Sequence, residues 1–248
     1  MWMLWTLACG VEPAPDDLDG LVHWLWDHHG DDEDVDWAEG FDNFLAALDP
    51  LEEVLTGDLS DLLADQTTGF SDGDPGVCRG LVMARRMTCT LDALAPVLTA
   101  LDQDTLYPDV YTAYDRAYTS ELEAFTSGES ATITWEVQAS AELLGVTYTE
   151  TLLGGLHRVD TDDGQALMAR TWMPGPATWD ADGWTWTQDY QIELFLEPEP
   201  GTLWHVYGLW RDMDLGGLTM DNDGVASTTL DSMADWDDQT EQLCELHR

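Results

Sequence analysis

Between Asp16 and about Gly128 the apolar residues recur at helical spacing. Leu18, Leu21, Val22, Leu25 and His29 fall on one helical face, and Gly30 follows as a C-terminal stop. After the acidic run Asp31–Asp36, the residues Trp37, Phe41, Phe44, Leu45 and Leu48 mark a second helix ended by Pro50. Leu51–Leu55 predicts a short helical turn stopped at Gly57, and residues 66–76, rich in Gly, Asp and Thr, predict a loop. Helices over Val77–Met87 and Leu91–Leu101 follow, the second with Thr90 as N-cap and Pro96 as a kink. A last helix over Pro108–Phe125 is closed by Gly128.

Beyond Gly128 the period changes from helical to two. Ile133, Trp135, Val137 and Ala139 alternate with polar residues. The longest alternation is Trp184, Trp186, Gln188, Tyr190, Ile192, Leu194 and Leu196, against Thr185, Thr187, Asp189, Gln191 and Glu193 on a face expected to be wet. Glu197–Gly201 reads as a turn, and Leu203–Arg211 as the returning strand. Both faces of that strand are apolar, as in a central strand covered on two sides. Asp163-Gly164, Asp182-Gly183 and Asp223-Gly224 are read as hairpin turns, and Ser232–Leu243 as a short terminal helix. The expected fold is α+β, with a helical half (residues 19–128) packed on an antiparallel meander of about six strands (residues 129–248) as one fused unit.

Charge narrows the partners. The chain carries 50 Asp and Glu against 8 basic residues, all Arg, for a net charge of -42. Such a field repels nucleic acid and anionic lipid surfaces and calls for salt to screen it. It leaves loose binding of divalent cations open. A calcium loop of the EF-hand type is not complete: with Gly183 at its sixth position, Thr178, Asp180 and Asp182 stand at the first, third and fifth, but the twelfth is Asp189. His23, His28 and His29 lie near Asp27, Asp31 and Asp32, yet His23 and His28 sit about 140° apart on one helix and do not converge. No metal or cofactor site is therefore assigned. The motifs of hydrolase elbows, phosphate loops, dinucleotide folds and zinc proteases are absent, so no catalytic residue is named. Asp189 and Glu193, which flank Tyr190, read as part of the wet strand face.

The N-terminal residues Leu7-Ala8-Cys9-Gly10 end a short apolar run and precede a polar, Pro-containing stretch. This resembles the export signal of bacterial lipoproteins. It departs from that pattern in having no basic residue before the run and only eight residues ahead of the cysteine. The resemblance implies an export signal over residues 1–8, lipidation of Cys9, a linker over residues 9–18, and attachment to a membrane of the cell envelope through acyl chains. Of the other cysteines, Cys78 and Cys89 lie ~16 Å apart along a predicted helix, too far for a bridge. Cys89 and Cys244 are the expected disulfide. The function expected from these features is an exported, lipid-anchored envelope protein that binds or supports, without chemistry of its own. The alternative is a ligand carrier whose sheet offers Trp135, Tyr148, Trp184, Trp186 and Tyr190 as a pocket.

Overall fold

The computed structural model describes residues 13–31, 35–49, 54–161 and 164–246. Export signal, Cys9 and the Asp163 turn position therefore lie outside the described residues. Helix α1 (Leu18–His28) begins where the Asp17 carboxylate accepts from the Gly20 backbone amide. It ends before Gly30, whose φ of +89° is a conformation that a side chain disfavours. Helix α2 (Trp37–Leu48) is capped likewise by Asp36, which accepts from the amide of Glu39. Strand β1 (Leu55–Leu59) and strand β2 (Arg79–Met87) follow, separated by turns and a 3-10 turn at Pro75–Val77. Next come α3 (Leu91–Leu98), capped by Thr90, and the short α4 (Gln103–Leu106). Strand β3 (Ala113–Tyr118) and the short α5 (Leu122–Thr126) complete the first half.

The second half supplies β4 (Thr132–Leu143), β5 (Val146–Thr161), β6 (Gly164–Trp172), the two-residue β7 (Thr178–Trp179), β8 (Trp184–Glu199), β9 (Thr202–Leu215) and α6 (Asp223–Leu246). All the strand pairs are antiparallel, in the order β1-β2-β9-β8-β6-β5-β4-β3, with β7 paired to β5. The α+β class and the six C-terminal strands agree with the alternation read from the sequence.

Three expectations for the first half are corrected. Leu55 and Gly57 belong to a strand, Val77–Met87 is mostly β2, and Pro108–Phe125 holds β3 and one short helix. The physical cause is burial on two sides: β2 lies between β1 and β9, and Leu81, Val82, Met83 and Ala84 are all buried. A continuous apolar run has no period to separate strand from helix. Asp223-Gly224 opens α6 and is no hairpin turn, and the Asp182-Gly183 turn connects β7 to β8, which are not paired.

Both faces of the sheet are covered. Helices α1 and α2 lie on one, against Val82, Met168, Ile192, Leu194, Val206 and Trp210. Their approach is close because Gly208 faces α1: a Cβ there would meet Val22 Cγ1 at 2.4 Å. On the other face lie α3 and α6, held together by a disulfide between Cys89 and Cys244 with a Cα separation of 5.7 Å. Cys78 is free and buried. It stands across β2 from Cys89, where ~3.3 Å per residue separates the two more widely than a helix would.

Candidate functional site

Strand β8 decides which side chains reach the α6 face. Between Trp186 and Gln188 its pairing with β9 slips by one residue. The additional residue, Thr187, bonds through its hydroxyl to the Asp212 carboxylate. This bulge inverts the alternation on its two sides. Trp186 on one side and Asp189, Gln191 and Glu193 on the other all face α6, while Gln188 and Tyr190 turn toward α1 and α2. Gln188 donates to the Asp74 carbonyl (3.0 Å), and the Tyr190 hydroxyl bonds Ser71 (2.9 Å) and Gln188 (3.0 Å).

On the α6 face the structure leaves a cavity of about 570 Å³. Strands β3, β4, β5, β6, β8 and β9 wall it and α6 covers it, so the sheet curves around the space. Trp135, Val137, Leu152, Trp186, Tyr207 and Met233 are among its apolar lining residues. Three of the five residues expected to form a pocket thus line one: Trp135, Tyr148 and Trp186. Trp184 stands beside it, its ring 5.2 Å from that of Trp179. Tyr190 does not belong to it, being on the opposite face with its ring 5.8 Å from Trp26.

The polar residues of this face went unrecognised as a site, because a carboxylate in an alternating strand reads as solvated. Asp189 is fully buried and meets Arg211 at two points, Oδ1 at 3.3 Å from Nε and Oδ2 at 2.9 Å from the terminal nitrogen. Burial raises the Asp189 carboxyl, and the Arg211 contact opposes that rise. Burial likewise works against the Arg211 charge, but Asp189 more than compensates and holds the guanidinium protonated. The two side chains form a salt-bridge contact of 2.9 Å. Arg211 also lies 4.2 Å over the Trp186 ring.

Glu150, on β5, faces the same space. Burial pushes its carboxyl up to about 8, Asp189 adds to the shift, and Arg211 offsets only part of it. Burial also raises Tyr111, Tyr114, Tyr148 and Tyr207 of the lining, which stay neutral. Toward the C-terminal end of α6, His205 bridges Asp237 (2.7 Å from Nδ1) and Glu193 (3.2 Å from Nε2). Burial disfavours the imidazolium, yet the two carboxylates hold it at about 9. Arg85 adds a contact to Asp237 at 3.6 Å and one to Asp238 at 2.9 Å. This network ties α6 to β2, β8 and β9.

The histidines near the N-terminus do not converge. His23 lies by Asp19 (3.9 Å) and His28 by Asp31 (3.6 Å). His29 contacts the Met168 carbonyl and is pushed down to about 3 by burial, with Arg170 and His157 adding to the shift. Among the described residues no three His, Cys, Asp or Glu side chains gather as a metal site. No helix among them is long and apolar enough to cross a membrane.

No family model and no curated protein matches the chain. Solved structures share part of its shape. A START superfamily protein from Mycobacterium smegmatis is 11% identical with a TM-score of 0.43, over 66% of this chain and 98% of its own. Human StAR-related lipid transfer protein 5 is 10% identical with a TM-score of 0.44, over 79% and 84%. The Zhui aromatase/cyclase from a Streptomyces species is 14% identical with a TM-score of 0.40, over 68% and 94%.

Proposed function

We propose that the protein is a carrier that encloses one small, mainly apolar molecule between its sheet and α6, and does not transform it. The observation that carries this reading is the cavity itself. Its volume of about 570 Å³ falls within the ~300–1,000 Å³ typical of small-molecule sites. A sheet interior used only for packing would be filled at close to crystal density, and a gap of this size forfeits contact energy along its whole lining. The aromatic and aliphatic walls supply the burial that holds an apolar guest. The charged groups at the edge are engaged with each other, Asp189 with Arg211 and His205 with Glu193 and Asp237, which supports binding over chemistry.

The test is occlusion. Ala169 and Ala141 line the cavity from β6 and β4, so Ala169→Phe and Ala141→Phe each place a ring inside it. The unaltered protein is expected to bind the neutral dye Nile red with one-to-one stoichiometry, and each filled variant to lose at least tenfold in affinity while melting as one folded species. Equal dye binding by wild type and both folded variants, or none by the wild type, refutes the carrier.

For its address we propose export and lipid anchoring at Cys9. Support comes from the lipoprotein-like residues Leu7-Ala8-Cys9-Gly10 and from the Cys89–Cys244 bridge, since such bonds persist in oxidising compartments. Intact-mass analysis of protein from native membranes is expected to show a chain beginning at Cys9 with added acyl mass; an unmodified Cys9 sinks the assignment.

A further inference from the structure

Two polar atoms of the cavity lining are left unanswered by the fold, the Trp186 indole Nε1 and Glu150 Oε2. Glu150 is only 7% exposed, faces the cavity, and its Oε2 has no hydrogen-bond partner. Native proteins keep few such atoms, and those they keep call for an explanation. Neighbouring charges are already spoken for. Arg211 is held at two points by Asp189. Arg116, the other guanidinium of the lining, donates to the Tyr114 hydroxyl and the Leu98 carbonyl.

The same surroundings select among guests. A cation would seek aromatic faces, but the chain's own guanidinium groups cover three of them: Arg211 at 4.2 Å over Trp186, and Arg116 at 4.4 Å over Trp135 and 5.3 Å over Tyr114. An anion would meet the Glu150 and Glu193 carboxyls that share the lining. Bringing a further ion into a space that α6 and the sheet partly shield from water adds a desolvation cost. An uncharged oxygen has no such cost and supplies what Oε2 lacks.

We infer that the cavity takes an apolar molecule bearing one uncharged oxygen function, a hydroxyl or a carbonyl, which hydrogen-bonds to the Glu150 carboxyl. The inference rests on the carrier reading and names the chemistry of its ligand. A carboxyl kept protonated donates to a carbonyl and accepts from a hydroxyl. Burial favours that form at neutral pH. The groups that face Glu150 from other elements are Asp189, Arg211, Tyr111, Tyr114 and Tyr207, with Tyr148 on its own strand. Asp189 and Arg211 form an ion pair and the tyrosines are raised, so Glu150 is the member of this set that titrates between pH 7 and 9.

Dodecan-1-ol, dodecanoate and dodecylammonium share one hydrocarbon chain and differ in the charge of their head. Each is titrated calorimetrically into the full-length, disulfide-bonded protein at pH 7 and pH 9, below its micellar concentration. At pH 7 the alcohol is expected to bind at least tenfold more tightly than either ion. Dodecan-2-one, which can only accept, needs the carboxyl proton, so its affinity should fall about tenfold from pH 7 to pH 9 as the protonated fraction of Glu150 shrinks. Glu150→Gln keeps a donor and an acceptor and should bind the ketone equally at both pH values, which separates Glu150 from His205. Glu150→Leu keeps the bulk and should lose about tenfold in alcohol affinity, with an unchanged melting profile showing that it folds. An ion that binds as tightly as the alcohol overturns the inference and leaves the carrier standing, as does a folded Glu150→Leu protein with undiminished alcohol affinity. If none of these probes binds and Nile red does not either, the carrier reading itself fails and this inference falls with it.

Discussion

Glu150 offers a stability test that needs no ligand. Its carboxyl is pushed from 4.5 up to about 8 by burial. Between those values the unfolded chain releases the proton while the folded chain keeps it, so the folded state loses about 1.4 kcal/mol per pH unit. The loss is absent below about pH 4.5, reaches about 3 kcal/mol at pH 7 and levels off near ~5 kcal/mol above pH 8. Glutamine has nearly the same shape and no titration. Glu150→Gln should therefore stabilise the protein by about 3 kcal/mol at pH 7 and hardly at all at pH 4. For a chain of this length that corresponds to a rise in Tm of roughly 6–12 °C at pH 7. Thermal melts followed by tryptophan fluorescence at pH 4, 5.5, 7 and 8.5 would measure it. They should be run in about 1 M salt, where screening acts within ~3 Å and the overall acidic repulsion changes little with pH. A difference between the two proteins that stays constant across that range refutes the reasoning, because it would mean that Glu150 ionises as an exposed acid does.

Three further outcomes are expected. His205, opposed by burial but held at about 9 by Asp237 and Glu193, contributes stability that is complete below pH 6.5 and is lost as pH rises through 9; in urea unfolding at pH 6 and pH 9.5 a His205→Gln protein should lose about 3 kcal/mol less than the unaltered one, which also carries the Glu150 loss, and an equal pH slope in the two would contradict this. Removing the Cys89–Cys244 bridge, which closes a separation of 155 residues, should cost about 5 kcal/mol in the chain-entropy account; equal denaturation midpoints for the oxidised protein and a Cys89→Ser, Cys244→Ser variant would exclude it. Gly208→Ala drives a methyl to 2.4 Å from Val22 Cγ1 and should destabilise by about 1–3 kcal/mol in chemical denaturation, a neutral result showing that α1 shifts freely over β9.

Parts of this architecture were legible because local chemistry and tertiary demand agree. Helices α1, α2 and α3 carry side-chain caps at Asp17, Asp36 and Thr90, and β4 presents an unbroken alternation through Ile133, Trp135 and Val137. Where the two part, the reading fails. Buried on both faces, β2 hides its period, and edge strand β3 offers only Tyr114, Arg116 and Tyr118 as half-buried markers between exposed residues. The opening turns of α6 are rich in Ser, Thr and Asp, so only its later part showed as a helix. The site was half visible. Its aromatic wall follows from alternation, but Asp189 and Glu193 look solvated in the sequence, and nothing in one strand's pattern says that a helix from the far end of the chain will roof them. That Glu150 and Arg211 share one enclosure depends on sheet curvature, which the order of residues does not display.

The slip at Thr187 makes β8 a strand with two phases. Counted from its start, the aromatic positions keep one parity, and counted from its end they keep the other; a single additional peptide reconciles the two frames. Strand length is thus as much a part of the binding surface as residue identity. Deleting Thr187 would let Trp186 and Gln188 keep Met213 and Asp212 as partners in plain alternation, whereas straightening the strand with Thr187 retained would force either the Trp184–Trp186 segment or the Asp189–Glu193 segment to exchange sides. An acid as deeply placed as Asp189 would then be pressed against the apolar underside of α1, away from its arginine. Homologous chains that keep this interior should either hold the additional residue together with the bulge or lack both.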